Sequence, residues 1–134
     1  MRLVIHCCAL LAGALLLGAC GGGDGSTGNE CFLDEGVFRN IEVRPGTPPS
    51  FTWCGAPAMT LDVRPAAGGS SAWTIECNDD VFPLCIDPPV AYGDSVETTD
   101  LLAGPAPLQS GASYQLCLSG VDGRPATACV PFTQ

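Results

Sequence analysis

The chain contains no lysine, and its only histidine is His6. Without lysine, Schiff-base chemistry and serine–lysine catalysis are excluded. A single histidine so close to the start leaves the rest of the chain without an imidazole base, proton shuttle or imidazole zinc ligand. Aspartate and glutamate are the general bases that remain. We therefore expect a protein that is not an enzyme, with no catalytic residue, no cofactor and no metal.

Long apolar runs are equally scarce, and the main one covers residues 3–17 and follows Arg2. A basic start, an apolar core of about 7–15 residues and a small-residue end are typical of a secretory signal. A membrane-spanning helix is the alternative, but it needs about 20 apolar residues. This run stops in glycines, with no basic segment after it. His6, Cys7 and Cys8 lie inside it, so we assign them no function.

The apolar run ends at 17–20 in Leu-Gly-Ala-Cys, which resembles the lipobox of bacterial lipoproteins. The resemblance implies cleavage between Ala19 and Cys20, so that residues 1–19 are a signal peptide and Cys20 carries a diacylglyceryl lipid. It also implies a location in the cell envelope, with the membrane as a partner. Gly21 is not the aspartate that retains many Gram-negative lipoproteins in the inner membrane, which favours the outer membrane in such a host. Cleavage by the ordinary signal peptidase is the alternative.

Residues 20–30 begin with the lipidation candidate Cys20, and the residues after it are rich in glycine and almost free of apolar side chains. This composition predicts a flexible linker, whose root-mean-square reach is about 16–19 Å. After residue 19, four arginines accompany fourteen acids, which gives a net charge of −10. Such a surface repels phosphate backbones. We expect no nucleic-acid partner, and an envelope protein or a glycan remains as an unidentified second partner.

Six cysteines follow Cys20. An even number in an exported domain of this size predicts a disulfide framework, although the sequence alone does not fix the connectivity. We favour three pairings between cysteines that are neighbours along the chain: Cys31–Cys54, Cys77–Cys85 and Cys117–Cys129. The second closes a short loop, the third would tie the last two strands, and the first follows by elimination. Metal–thiolate binding is the alternative, but no Cys-x-x-Cys pair occurs in this part of the chain.

Short alternating runs stand between prolines and glycines in the remaining chain, and twelve prolines and seventeen glycines in total argue against long helices. The alternation predicts strands at 39–43, 51–54, 59–64, 73–76, 114–119 and 127–132, with a weaker candidate at 95–99. In the clearest run, Met59, Leu61 and Val63 share the buried face. About seven short strands at this spacing predict one all-β domain over 31–134, a disulfide-bonded β-sandwich.

Leu108, Gly111 and Tyr114 have the Leu-x-x-Gly-x-x-Tyr spacing of the corner before strand F in fibronectin type III domains, which this segment resembles. Trp53 is similar to the core tryptophan of that family. The resemblance covers residues 37–132 and implies a fibronectin type III-like or immunoglobulin-like sandwich. In such a corner the tyrosine ring packs inside and its hydroxyl hydrogen-bonds to the backbone. The implied role of Tyr114 is structural.

Two groups of acidic residues are candidates for a functional site, one for calcium binding and one for catalysis. Residues 78–80 and Asp87 offer oxygen ligands to calcium, but the spacing and the turn glycine of a calcium loop are missing, so a solvated acidic turn is favoured. Asp62 and Glu76 resemble a glycosidase pair in residue type. Both alternate with buried neighbours on strands, which predicts surface charges.

Apolar residues 81–84 lie inside the Cys77–Cys85 ring and, with Ile86, predict either an exposed contact patch or a small cluster packed on the sandwich, of which the cluster is favoured. Phe82 is the candidate contact residue. Tyr92 could stack on a sugar, although packing in the core or at an edge is commoner. The leading hypothesis is a lipid-anchored envelope protein that presents a non-catalytic sandwich for binding or scaffolding. The alternative is a carbohydrate-binding module or a small protease inhibitor that uses the disulfide-closed loop.

Overall fold

The computed structural model describes residue 31, residues 36–79 and residues 82–134. Cys20, the signal segment and the linker lie outside the described residues. Within the described ranges the regular structure consists of strands: β1 (Phe38–Arg44), β2 (Ser50–Gly55), β3 (Thr60–Pro65), β4 (Trp73–Cys77), β5 (Val90–Ala91), β6 (Thr99–Ala103), β7 (Ser113–Ser119) and β8 (Ala128–Thr133).

The eight strands form two antiparallel sheets. One has three strands in the order β1-β2-β5, and the other has five in the order β6-β4-β3-β7-β8. Fully buried side chains from both sheets meet in one core, among them Phe51 on β2, Leu61 on β3, Trp73 on β4 and Leu116 on β7. The fold is an all-β, disulfide-bonded sandwich, and it is compatible with a fibronectin type III-like or immunoglobulin-like architecture.

Alternation along the central strands produces this core. On β3, Leu61 and Val63 are fully buried, and on β4 the buried positions are Trp73, Ile75 and Cys77. The residues between them are only partly covered and point to the outer face of the sheet. A one-residue slip in register would turn all of these apolar side chains toward solvent. Burial of each large one stabilises the fold by about 1.5–3 kcal/mol, so this register is strongly favoured.

Six predicted strands coincide with β1, β2, β3, β4, β7 and β8 to within one or two residues. The weaker candidate at 95–99 is wrong: residues 95–98 lie outside any strand, and β6 covers Thr99–Ala103. Strand β5 was not predicted, and it raises the number of strands to eight. It has only two residues and pairs with β2 through Ser50 and Phe51. A strand of two residues is too short to show an alternation of apolar and polar residues in the sequence.

The predicted corner is present. The Gln109 backbone N–H donates to the Tyr114 hydroxyl oxygen at 2.9 Å, and Tyr114 is buried against the core. Gly111 has a φ of 78°, a left-handed conformation that favours glycine. Leu108 packs partly buried against the core cluster. Trp53 is also buried, as the resemblance implies.

The structure joins the three favoured cysteine pairs, with Cα–Cα distances of 4.8 Å for Cys31–Cys54, 5.8 Å for Cys77–Cys85 and 4.1 Å for Cys117–Cys129. Cys117 and Cys129 lie directly opposite each other on β7 and β8, a relation that alternation alone does not establish. Cys117 lies opposite Asp62 on the outer face of the five-stranded sheet, yet it is buried. The Arg64 guanidinium covers it, with Nη2 at 3.1 Å from the sulfur.

Candidate functional site

The domain has two ends that are built differently. At the bridge end, β2 and β4 finish and β3 starts, and the Cys31–Cys54 and Cys77–Cys85 bridges lie there. At the corner end, β2 and β4 start and residues 108–114 lead into β7. The two predicted contact residues are divided between these ends, with Phe82 at the bridge end and Tyr92 at the corner end. The structure therefore does not bring them together in one site.

The loop at the bridge end exposes one large apolar side chain. Phe82 is 70% exposed, although it lies inside the ring that Cys77 and Cys85 close. Its backbone N–H donates to Asp79 Oδ1 at 3.1 Å, a side-chain contact that holds a turn in the loop. Residues 80 and 81 lie outside the described ranges. Phe82 is thus presented to solvent by a covalently closed loop.

Ile86 does not extend this exposed surface. It is fully buried, and its backbone exchanges hydrogen bonds of 2.9 and 3.0 Å with Ala58. Ile86 therefore does not belong to a contact patch, and its burial agrees with the favoured interpretation of a cluster packed on the sandwich. The residue follows the ring directly, and the chain returns to the core there. Among the loop residues that the structure describes, the apolar contact surface is formed by Phe82 and the half-covered Pro83 and Leu84.

Tyr92 is a structural element of the corner end. Its hydroxyl lies 2.6 Å from the Ala106 carbonyl oxygen, to which it donates, and 3.1 Å from that of Ala72. Its ring meets the Trp73 ring edge to face at 5.3 Å. Burial raises the pKa of Tyr92 above its usual value, and the nearby Tyr114 adds to the rise. The hydroxyl and one ring face are thus occupied by contacts within the domain.

A cleft of about 360 Å³ lies beside Tyr92 at the corner end. We call it the proline cleft, because three of its residues are prolines; its lining is Thr47, Pro48, Pro49, Tyr92, Pro107, Leu108 and Gln134. The Tyr92 N–H donates to the Pro49 carbonyl oxygen at 2.9 Å, and Gln134 Nε2 donates to the Gly46 carbonyl oxygen at 3.1 Å. Separate segments of the chain are thereby held as one mostly apolar surface.

A second cleft, of about 220 Å³, runs along the inner side of β6. We call it the β6 cleft; its lining is Trp73, Ile75, Gly93, Asp94, Ser95, Val96, Thr99, Leu101 and Pro105. The buried indole N–H of Trp73 has no hydrogen-bond partner among the described residues. Strand β5 has only two residues, and the loop over residues 93–96 that follows it lines the cleft beside β6.

The carboxylates weighed for catalysis lie on the outer face of the five-stranded sheet. Asp62 accepts a hydrogen bond of 2.7 Å from Thr74 Oγ1 and forms an ion pair with Arg64 Nε at 3.1 Å. Glu76 accepts a longer hydrogen bond of 3.4 Å from Thr60 Oγ1. Both are half-exposed on a sheet face, as the alternation predicts. Their contacts with neighbouring strands are those of surface charges on a sheet.

The residues weighed for calcium are engaged with other partners. Asn78 Nδ2 donates to Asp100 Oδ1 at 3.0 Å, and Asp79 holds the Phe82 turn. Asp80 lies outside the described residues, and Asp87 is exposed. In the described part of the chain, no group of three or more histidine, cysteine or acidic residues is arranged to hold a metal ion. The same residues include no helix of the length and apolarity needed to cross a membrane.

Comparisons of the chain with models of protein families, with curated proteins and with solved structures find no match in any of the three. The fold class therefore rests on the strands, sheets and bridges described above.

Sequence reasoning did not identify the two clefts. Each is assembled from segments far apart in the chain, so no local spacing reveals it. The prolines at 45–49 and 105–107 are the one signal that was available, since several prolines close together beside a strand mark a rigid surface loop. That these two stretches meet beside Tyr92 depends on the tertiary fold.

Proposed function

We propose that this protein is a lipid-anchored component of a bacterial cell envelope, whose β-sandwich acts without catalysis as a rigid binding or scaffolding body. The observation that carries the proposal is the position of the first bridge. Cys31 is eleven residues after Cys20 in the sequence, and it is bonded to Cys54 at the end of β2. A lipobox-like cysteine is thus followed, after a short glycine-rich linker, by a disulfide-bonded body, an arrangement suited to an exported, tethered domain.

The same bridge orients the domain under this proposal. The linker reaches about 16–19 Å and enters at the bridge end, so that end lies toward the membrane. The proline cleft, at the corner end, then points away from the lipid. Because the outward surface is apolar and formed by prolines and hydrogen-bonded turns, it is presented in a fixed shape. A fixed, membrane-distal surface is suited to binding or scaffolding.

The absence of catalysis follows from residue types and their surroundings. The only histidine is His6 and lysine is absent from the sequence. The carboxylates Asp62 and Glu76 are half-exposed, and each is hydrogen-bonded by a threonine of a neighbouring strand. Neither carboxylate lines the proline cleft or the β6 cleft.

The test is replacement of Cys20 by serine in the full chain expressed in a Gram-negative host. We expect the unsubstituted protein to incorporate an alkynyl fatty acid, to fractionate with membranes, and to show acylated Cys20 as its first residue by mass spectrometry. The C20S variant should lose the label. Cys8→Ser is the matched control, because Cys8 lies in the segment expected to be removed, and it should label normally. A purified protein that keeps residues 1–19, or a labelled C20S variant, would refute the proposal.

A second candidate function is supported by the exposed position of Phe82. A disulfide-closed loop that presents one aromatic ring is suited to contact a sugar ring or a protease cleft. The detergent-extracted protein would be tested on a glycan array and against a panel of proteases. Loss of a signal in Phe82→Ala, with retention in Leu102→Ala as the matched control, would favour this candidate. The same signal in both variants would rule it out.

A further inference from the structure

The edges of the two sheets differ in how well they are protected from pairing with another chain. Unpaired edges are usually blocked by proline, charged residues, bulges or short length. Strand β8 carries Pro131, and β5 has only two residues. Strand β1 has a register shift and three charged residues. Strand β6 has no proline and no basic residue, and its Leu101 and Leu102 are 57% and 59% exposed.

The backbone of β6 is arranged to accept a further strand. Asn78 N–H donates to the Thr98 carbonyl oxygen at 2.9 Å. Bonded and non-bonded residue pairs alternate in an antiparallel ladder, so Asp100, opposite Glu76, also directs its backbone groups toward β4. Thr99 and Leu101 then direct theirs outward, to the free edge. The register shift between Thr74 and Ile75 comes after this segment, at Leu102, and leaves the segment regular.

Apolar side chains lie on the inner side of this edge, beside the polar Asp94, Ser95 and Thr99 that also line the β6 cleft. Leu101 lies opposite Ile75, whose side chain is in the core, and Leu101 itself lines the β6 cleft. An added strand would place every second side chain over this cleft. Apolar side chains at those positions would cover the exposed face of Leu101 and remove its surface from water.

The outer side of the same edge is acidic. Asp100 and Glu76 lie directly opposite each other on β6 and β4. Asp100 accepts a hydrogen bond from Asn78, and Glu76 accepts one from Thr60. Neither forms an ion pair with an arginine in the part of the chain that the structure describes. Like charges directly opposite on a sheet are destabilising. A basic side chain on an added strand would lie beside Asp100 and relieve this repulsion.

Charge decides which occupant fits this edge. A second copy of the chain brings another acidic β6 and a net charge of −10 after residue 19, with no lysine. We propose that β6 binds an extended segment of another protein in which apolar and basic residues alternate, by addition of that segment as a strand beside Thr99–Leu101. The apolar residues cover the β6 cleft, and the basic residues lie beside Asp100. This gives the proposed binding role a partner chemistry, but it does not depend on the lipid on Cys20.

The experiment uses the detergent-extracted protein and a capped peptide of about eight residues that alternates valine and lysine. Binding is measured by fluorescence anisotropy at low salt, against a valine–glutamate peptide and a valine–lysine peptide with a central proline. We expect saturable binding of the first peptide only. Amide hydrogen exchange should slow at Thr99 and Leu101 when the peptide is bound, because their N–H groups become paired.

The charge-reversal variant Asp100→Lys tests the position of the basic residue. This substitution should lower the affinity for the valine–lysine peptide by about fivefold to tenfold and raise the affinity for the valine–glutamate peptide. Asp87→Lys makes the same change in net charge at an exposed position away from β6, and it should change affinity by less than about twofold. Asp100→Lys could also act by breaking the hydrogen bond with Asn78. The variant Leu102→Lys therefore serves as a second test, because it also adds a positive charge to β6 and leaves Asp100 and Asn78 unchanged. Slow amide exchange in β7 is the check that each variant is folded.

Several results would overturn the proposal. One is no binding of the valine–lysine peptide at millimolar concentration, and another is an equal effect of Asp100→Lys and Asp87→Lys, which would indicate nonspecific attraction. A third is protection of amides elsewhere than on β6. Self-association that is lost in Leu102→Lys would identify a second copy as the occupant. Acylation of Cys20 is measured separately, by mass spectrometry. A failure of peptide binding would therefore leave the lipoprotein proposal intact, and an unacylated Cys20 would leave the proposed peptide binding intact.

Discussion

The two ends of the domain are stabilised by different means. At the corner end, the rings of Phe51, Trp73, Tyr114 and Phe132 form a connected cluster, with ring centroids 5.6–6.4 Å apart along the cluster. At the bridge end, two disulfides join loops and strand ends, and the nearby Phe82 points to solvent. The chain is thus covalently linked at the end that lies outside this cluster of rings, although Trp53, Ile86 and Leu118 are buried there. Where aromatic burial is extensive, packing and hydrogen bonds hold the turns.

The contrast follows from local composition. Residues 77–88 contain three acids and two prolines, which bury poorly and leave the loop little hydrophobic stabilisation. A disulfide acts mainly on the unfolded chain and does not require burial. Residues 108–114, in contrast, supply a leucine and a tyrosine that pack on the core. The comparison predicts that the two ends respond differently to substitution, and the largest response should come from the corner end.

Trp73→Ala should be the most damaging single change. Trp73 is fully buried and contacts both Phe51 and Tyr92. Truncation of a buried aromatic side chain costs about 3–5 kcal/mol, so the free energy of unfolding measured in urea should fall by this amount. Phe82→Ala, at the exposed end, is the control and should stay within about 0.5 kcal/mol. Equal losses in the two variants would remove the distinction between the ends.

Removal of the Cys77–Cys85 bridge should give the next largest effect and a more local one. The double variant Cys77→Ser with Cys85→Ser should lose about 2–4 kcal/mol. Amides between the two cysteines should then exchange faster than those of β7, because the loop opens before the aromatic cluster does. Hydrogen exchange followed by mass spectrometry measures this order. If β7 and the loop exchanged together, the two ends would form one cooperative unit.

Tyr114→Phe should produce a smaller loss at the corner end. The change keeps the buried ring and removes only the oxygen that accepts the Gln109 N–H at 2.9 Å. Loss of such a hydrogen bond costs about 1 kcal/mol. Gln109→Ala is the matched control, because it keeps the backbone donor and changes only an exposed side chain. Urea unfolding should show the loss in Tyr114→Phe alone, and a similar loss in the control would assign the effect to the turn as a whole.

Much of the fold could be predicted from the sequence because burial leaves a pattern. Leu61 and Val63 alternate with polar residues, and they occupy the core positions of β3. The corner was predictable for a different reason, since Leu108, Gly111 and Tyr114 each have a conformational or packing role at fixed spacing. The three cysteine pairs agree with the favoured pairings because each joins neighbours along the chain.

The remaining features could not be predicted because tertiary pairing, not alternation, determines them. Strand β6 has two consecutive leucines at a register shift, and both are exposed, so its sequence shows no buried face. The predicted strand at 95–99 was therefore placed too early. The sequence left Ile86 between a contact patch and the favoured packed cluster, because it cannot show that Ile86 pairs with Ala58 in the core. It left Tyr92 as a possible sugar contact, because the hydrogen bond from its hydroxyl to the Ala106 carbonyl oxygen depends on the tertiary fold.

The smallest expected effect is a pH dependence that arises at the corner end. Burial raises the pKa of Tyr92 above its usual value of 10.0, with a further contribution from Tyr114. The unfolded chain therefore ionises this hydroxyl at a lower pH than the folded protein does, so its stabilising contribution is complete below the usual pKa. As the pH rises from there through the raised pKa of the folded state, this contribution is lost and the free energy of unfolding falls. Urea unfolding from neutral to alkaline pH should show a shallower decline in Tyr92→Phe than in the unsubstituted protein. Identical slopes would mean that the hydroxyl is as well solvated in the folded protein as in the unfolded chain, so that burial at the corner end does not raise its pKa.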